Sequence, residues 1–234
     1  FDDITALVAA QRSAAWADVA RRIAHEIKNP LTPITLSAER LRKKFAPGEG
    51  TEERESFDRY IETISRHTRD IGRMVEEFVA YARMPQSVFR EENLVGIVKK
   101  AVFSAQTANP DIQYAQTLPS DAVMVSCDEA QLGQVLLNLL KNAAEAMEGR
   151  EGKRISITLA REAGSATLTI EDNGPGFPAD KIDTLTEPYV TTRAKGTGLG
   201  LAIVKRSIEE HKGTLTLSNV EGGGARVVMV VPVV

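Results

Sequence analysis

Two long stretches of the chain carry apolar residues at helical spacing. In the first, Ile23, Ile27, Leu31, Ile34, Ala38, Leu41 and Phe45 follow one another in steps of 4, 4, 3, 4, 3 and 4. In the second, Phe57, Ile61, Ile64, Thr68, Ile71, Val75, Phe78 and Ala82 step by 4, 3, 4, 3, 4, 3 and 4, with one polar member. Alternating threes and fours hold one stripe of a helix toward a partner. Helices are therefore predicted over residues 5–45 and 52–83. Ala46-Pro47-Gly48-Glu49-Gly50 separates them, and Met84-Pro85 ends the second, because a residue before proline is pushed out of helical geometry. Met74 and Val79 widen the second stripe beyond what one hairpin buries, so a homodimer forming a four-helix bundle is the economical arrangement. Pro30 and Pro33 fall inside the first helix. Each removes a backbone hydrogen bond there, and a kink able to act as a hinge is expected just after His25.

Beyond Arg90 the period changes. Residues 93–106 read as a helix, 112–116 and 122–125 as short strands, and 128–147 as a long helix with Asp128 as its N-cap. Ile155, Ile157 and Leu159 alternate with polar residues, as do Leu168 and Ile170, which predicts a pair of strands over 155–161 and 166–171. Residues 172–195 hold three prolines and read as irregular; 197–211 reads as a helix, and 214–218 and 225–231 as closing strands. The expected fold class is α+β. A dimeric helical hairpin, residues 1–88, is followed by an α/β sandwich, residues 89–234, with helices on one face of a mixed sheet.

Composition narrows the picture. An apolar fraction of 42% is ample for a core, and a net charge of −3 gives no global argument for nucleic acid or a membrane surface. The single cysteine, Cys127, excludes an intrachain disulfide, fits a reducing compartment, and reads as a small buried apolar residue. The longest apolar run, residues 227–234, is too short for a membrane helix and contains Pro232. No signal peptide is visible. The chain begins at Phe1, which reads as a fragment whose missing segments carry an anchor or a sensor.

Four short segments carry candidate chemistry. In His25-Glu26-Ile27-Lys28-Asn29-Pro30-Leu31, His25 lies two residues from both Ile23 and Ile27, so it projects about 200° from the stripe. Glu26 is beside it and Asn29 shares its face one turn on. Taken alone, such a histidine is more often part of a solvated polar face. Asn138 and Asn142 lie four apart, opposite Leu136, Leu139 and Leu140. Neutral carboxamides offer oxygen to Mg²⁺ and leave most of its charge for phosphates, although asparagines on a helix are commonly just solvated. Asp172-Asn173-Gly174-Pro175-Gly176 follows a strand. Its carboxylate suits an exocyclic amine and its glycines leave room for a planar base, while a simple turn explains it equally well. Gly196-Thr197-Gly198-Leu199-Gly200-Leu201 opens a helix, where uncovered N–H groups bind phosphate. No Gly-Lys-Ser/Thr follows, so it is not a P-loop, and no strand immediately precedes it, as a dinucleotide fingerprint requires.

In this order the four segments resemble the H, N, G1 and G2 boxes of two-component sensor histidine kinases, a HisKA region followed by a HATPase region. The resemblance covers nearly the whole chain. The stretches Ile34-Thr35-Leu36-Ser37-Ala38-Glu39-Arg40-Leu41 and Glu187-Pro188-Tyr189-Val190-Thr191-Thr192-Arg193-Ala194-Lys195 are most similar to the NtrY-like branch, linked to nitrogen regulation. Tyr189 stands where many members carry Phe. The resemblance implies a sandwich of the histidine-kinase/GHKL ATPase type that uses ATP and Mg²⁺. ATP would sit under a mobile lid, residues 177–195. Asp172 would read the adenine amine, with Gly174 and Gly176 beside it. Asn142 would hold Mg²⁺ with Asn138 next to it. Gly196, Thr197, Gly198, Leu199 and Gly200 would bind phosphate, and Thr192, Arg193 and Lys195 would be the lid's contribution.

The resemblance also implies the reaction. His25 would attack the γ-phosphoryl group, Glu26 would take its proton or hold its tautomer, and the phosphoryl would pass to an aspartate on the receiver domain of an NtrX-like response regulator. Asn29 would orient water for the reverse job, removal of the phosphoryl group from the phosphorylated regulator by hydrolysis. The implied partners are a second copy and the regulator, with no nucleic acid and with a membrane reached only through segments outside this chain. This part would be cytoplasmic and the whole protein anchored in the bacterial inner membrane. Two other readings stay open. One is a GHKL-type ATPase of chaperone or repair kind, in which a water-activating Glu stands where this chain has Asn138. The other is a degenerate kinase kept as a dimeric scaffold.

Overall fold

The computed structural model describes residues 4–47, 51–82, 87–162, 164–192 and 197–234. The chain divides into two compact units, Phe1–Pro85 and Gln86–Val234.

The first unit is a helical hairpin of α1 (Ile4–Phe45) and α2 (Glu52–Ala82). α1 runs as one helix through Pro30 and Pro33. Those prolines deprive the carbonyls of Glu26 and Asn29 of their usual i+4 donors. Thr32 and Thr35 return hydroxyl bonds to the Lys28 and Leu31 carbonyls at 3.4 and 3.1 Å. α2 starts with Thr51 Oγ1 accepting from the Arg54 N–H at 3.1 Å, and Glu52, Glu53 and Glu55 in its first turn suit the positive end of the helix dipole.

The expected apolar stripe divides in two. Ala38 of α1 and Ile61, Thr68 and Val75 of α2 are buried, and Ala20 and Ala24, which the stripe did not include, are buried with them. Ile23, Ile34, Leu41, Phe45, Ile64, Ile71 and Met74 are 39% to 68% exposed. Two helices bury only a narrow strip between them, and the small α1 residues let them approach, so the rest of the pattern faces outward. The buried polar member, Thr68, is satisfied by donating to the Ile64 carbonyl at 2.8 Å. A Lys28–Glu76 bridge of 2.8 Å joins the helices, but both side chains are exposed and it contributes little.

The second unit contains β1 (Arg90–Asn93), α3 (Leu94–Ala108), β2 (Gln113–Thr117), β3 (Met124–Cys127), α4 (Glu129–Ala146), β4 (Arg154–Glu162), β5 (Ser165–Asp172), α5 (Gly200–Glu210), β6 (Thr214–Asn219) and β7 (Ala225–Pro232). Five strands form a mixed sheet in the order β2-β4-β5-β7-β6, in which only β2 and β4 are parallel. β1 and β3 form a separate antiparallel pair. The inward residues of β4, β5 and β7, among them Ile155, Leu168 and Met229, pack with Leu94 and Val98 of α3, Leu132, Leu136 and Leu140 of α4, and Val204 and Ile208 of α5. This is the helix-on-sheet sandwich that the alternation of strand and helix patterns indicated.

Three local features differ from the sequence expectation. β1, Arg-Glu-Glu-Asn, shows no apolar alternation and exists because it pairs with β3. Asn93 ends it and caps α3, accepting from Val95 N–H at 3.1 Å and Val123 N–H at 3.2 Å. The strand expected over 122–125 lies two residues later. The last helix begins at Gly200 rather than at Thr197, because Gly198 adopts φ +72° and breaks helical geometry.

Cys127 is 1% exposed, and burial, followed by the nearby Glu92, Asp128 and Glu129 carboxylates, pushes its thiol up to about 11. It is a packed apolar residue with no thiolate at neutral pH. His211 is buried at the end of α5, where Nε2 accepts from Asp128 N–H at 3.0 Å and Nδ1 lies 2.6 Å from the Ser207 carbonyl. Those partners make Nδ1 the protonated nitrogen and give His211 a packing role.

Candidate functional site

His25, Glu26 and Asn29 all lie on the continuous α1 and are all exposed. An exposed imidazole on a helix is open to a reactant arriving from solvent. Their placement on one helix follows from the four-residue spacing between His25 and Asn29.

In the second unit three elements meet around the C-terminal end of α4. β5 ends on Asp172, whose Oδ1 accepts from the Gly174 N–H at 2.8 Å and the Ala225 N–H at 3.2 Å. These two backbone donors fix the direction of the carboxylate. Gly174 is buried because it is tucked against that carboxylate and α4. A Cβ there would stand 2.7 Å from Asp172 Oδ1 and 3.5 Å from both Ala146 Cβ and Met147 Cγ. Asn173 ties the same loop to the start of β4, accepting from Arg154 N–H at 2.9 Å and donating to the Gly152 carbonyl at 2.8 Å.

Asn142 lies one turn before Ala146 on α4, and its Nδ2 is 3.8 Å from where a Cβ on Gly200 would stand. The end of α4, the Asp172 loop and the first turn of α5 therefore share one neighbourhood. Asn138 is one turn further back and accepts from Gln134 Nε2 at 3.1 Å.

The approach to α5 is locked onto the preceding loop. Tyr189 N–H donates to the Gly198 carbonyl at 3.1 Å, and a Cβ on Gly198 would come within 2.5 Å of the Tyr189 carbonyl carbon. Tyr189 itself adopts φ 68°. Thr197 Oγ1 accepts from the Leu199 N–H at 3.3 Å. Leu199 is 2% exposed and gives α5 no side-chain cap, so the amides of the first turn keep the orientation that favours an anion. Thr192 is exposed. Arg193, Lys195 and Gly196 lie outside the described residues.

Among the described residues, no group of three or more His, Cys, Asp or Glu is arranged to hold a metal ion. A hard cation here would lean on a carboxamide oxygen and on the phosphates of a bound nucleotide, which is how Mg²⁺ is commonly held.

The sequence reading missed the turn between β6 and β7. Gly224 passes so close to Asp172 that a Cβ would overlap the Asp172 carbonyl oxygen, and Gly176, at φ +79°, lies against Asn219. The Gly222-Gly223-Gly224 run was the available signal, but nothing local says which loop it meets.

Comparison with known proteins agrees with this architecture. The His Kinase A (phospho-acceptor) domain matches residues 15–87, and the histidine kinase-, DNA gyrase B- and HSP90-like ATPase domain matches residues 127–234. An NtrY-like sensor histidine kinase of Rickettsia felis is 48% identical over 94% of the chain, and the nitrogen regulation protein NtrY of Azorhizobium caulinodans is 49% identical over 96%. The chain spans 36% and 30% of the length of those two relatives. Among solved structures, histidine kinase ThkA in complex with the response regulator protein TrrA is 26% identical, with a TM-score of 0.66, over 95% of this chain and 63% of that one. A phospho-acceptor hairpin and an ATPase sandwich in this order, with relatives that nearly half its residues match, show that the chain belongs to the sensor histidine kinases, with NtrY-like proteins among its relatives.

Proposed function

We propose that this chain phosphorylates itself on His25 from ATP and passes the phosphoryl group to an aspartate on the receiver domain of an NtrX-like response regulator, in nitrogen regulation. The observation that carries this reading is the pairing of an exposed histidine on α1 with a second unit whose Asn142, Asp172 and first turn of α5 share one neighbourhood. The ThkA structure, in complex with the response regulator protein TrrA, supports a response regulator as the class of partner. Residues 1–88 serve as the dimerisation and phosphotransfer hairpin and residues 89–234 as the ATP-binding domain. Segments outside this chain anchor the whole protein in the bacterial inner membrane and leave this part in the cytoplasm. Among the described residues, no helix is long and apolar enough to cross a membrane.

Each side chain has a defined task. Neutral His25 supplies the ring-nitrogen lone pair that attacks the γ-phosphorus in line as the bond to the β,γ-bridging oxygen breaks. The proton on its other nitrogen passes to Glu26. Asp172, with Gly174 and Gly176 beside it, accepts from the adenine amine. The Thr197, Gly198, Leu199 and Gly200 turn is the phosphate-binding element, with Thr192 as a contribution from the lid; Arg193, Lys195 and Gly196, expected in the same roles, lie outside the described residues. Asn142, with Asn138 behind it, would hold Mg²⁺, which supplies charge neutralisation on the phosphates.

Incubation with γ-labelled ATP should give an acid-labile, base-stable phosphate on the chain. Base-labile phosphate would rule out histidine as the acceptor. Steady hydrolysis without any bound phosphate would return the chain to the simple ATPases.

The outward apolar face of Ile23, Ile34, Leu41, Phe45, Ile64, Ile71 and Met74 supports a homodimer through residues 5–84. Light scattering should find the whole chain dimeric at micromolar concentration and residues 90–234 monomeric yet able to bind ATP. A monomeric whole chain would remove the bundle.

Asn29 is exposed on the helix that carries His25. A carboxamide donates and accepts but cannot serve as a base, so its task is orienting water on the regulator's aspartyl phosphate. Asn29→Ala should keep most autophosphorylation and lose most phosphatase activity, with circular dichroism unchanged. Equal loss of both activities in a folded variant would undo this division of labour.

A further inference from the structure

The last residue of β6 faces the first residue of β7: Asn219 pairs with Ala225 in the antiparallel register. The turn between them is closed by Val220 N–H donating to the Gly224 carbonyl at 2.9 Å and Gly223 N–H donating to the Val220 carbonyl at 3.0 Å. This one pair of residues reaches both ends of the loop that runs from Asp172 to Phe177. On one side, Ala225 N–H donates to Asp172 Oδ1 at 3.2 Å. On the other, the Asn219 carboxamide engages both backbone groups of Phe177. Oδ1 accepts from Phe177 N–H at 2.7 Å, and Nδ2 donates to the Phe177 carbonyl at 2.9 Å. The two partners fix which end of the carboxamide is oxygen and which is nitrogen.

The fit extends to the loop itself. A Cβ on Gly176 would stand 2.7 Å from Asn219 Oδ1 and 3.1 Å from the Gly224 carbonyl oxygen. Phe177 packs its ring against the core of the second unit, so both its side chain and its main chain are held. Phe177 is also where the long irregular segment toward α5 begins.

We propose that Asn219 is a positioning residue for nucleotide binding. It pins the point at which the lid segment leaves the sheet, while its register partner Ala225 holds the carboxylate of Asp172. The proposal rests on the reading of Asp172 and its loop as the base-binding site. Asn219 is exposed and its carboxamide bonds the Phe177 backbone, so removing that carboxamide loosens the loop without opening the core. A loop that must be ordered on binding lowers affinity by the fraction of time it spends out of place.

Asn219→Ala should therefore weaken ATP binding about fivefold, the effect of one or two net hydrogen bonds. At saturating ATP the rate of His25 phosphorylation should stay within about twofold, because the lost interaction is made equally before and during the reaction. The thermal midpoint should match the wild type, and amide exchange at Phe177 should accelerate. Asn219→Gln keeps the acceptor–donor pair on a stem one methylene longer at an exposed position, and it should recover most of the affinity. Wild-type affinity in Asn219→Ala would overturn the proposal. So would an affinity loss that tracks a lowered thermal midpoint and is not relieved by Gln. Asp172→Asn, measured in parallel, separates the two readings. If it binds ATP like the wild type, the base site is elsewhere, and the pinning of the loop is then judged on Phe177 exchange, where no acceleration would overturn it.

Discussion

His25→Gln should bring phosphate incorporation from labelled ATP down to background while leaving ATP affinity within about twofold of the wild type, since exposed surface changes of this kind rarely exceed 0.5 kcal/mol. Glutamine is a good helix former of similar reach, so α1 should persist. Its carboxamide nitrogen has a lone pair delocalised into the carbonyl and is no nucleophile, which removes the imidazole nitrogen assigned to the P–N bond. The boxes read as nucleotide-binding all lie in the second unit, and the substitution lies in the first. Binding and phosphorylation should therefore separate cleanly. Filter binding or a fluorescent nucleotide measures the first, and labelled protein after gel separation measures the second. Near-stoichiometric phosphate on the variant would mean that another side chain is the acceptor. Of the other two histidines, His67 is exposed on α2 and His211 is buried at the end of α5. His67 would be the first to test.

What was legible in the sequence was local. A stripe repeating every three or four residues declares a helix, and both helices of the hairpin appear within a residue of their expected ends among the described residues. The candidate segments could be picked out for the same reason: the His25, Asn138–Asn142, Asp172 and Gly198–Gly200 stretches are each short and contiguous. What could not be read depends on pairings across the fold. Asn219 meets Phe177 from 42 positions away, and Ala225 meets Asp172 from 53. β1 has the composition of a loop and becomes a strand only because β3 lies beside it. The hairpin stripe was read as one seam. It divides because two helices bury only a narrow strip between them: the alanines of α1 let the helices approach, Ile61 and Val75 of α2 are buried, and Ile23, Ile34, Leu41 and Phe45 are left facing outward.

Asp172→Asn should cost about 1.5–3 kcal/mol of ATP affinity, roughly ten- to a hundredfold, as expected for a hydrogen bond to a charged group. The argument runs through the two backbone donors. Gly174 N–H and Ala225 N–H both point at Oδ1, and the carboxamide oxygen of asparagine can take both bonds. The loop should keep its shape, with the amide NH₂ placed where the second carboxylate oxygen stood. A donor then faces the exocyclic amine of adenine, which is also a donor, and the pair repels instead of attracting. A base carrying a carbonyl at that position, as in inosine triphosphate, would meet the new NH₂ favourably. The ratio of ATP to inosine triphosphate affinity should accordingly fall toward one or reverse. Asp172→Ala is the contrasting variant. It leaves Gly174 N–H and Ala225 N–H without their acceptor, so it should lose affinity for both nucleotides together and lower the thermal midpoint of the second unit. Titration of the three proteins with both nucleotides decides the matter. An Asp172→Asn protein that binds ATP within twofold of the wild type and discriminates against inosine triphosphate as before would show that the base is read by some other group.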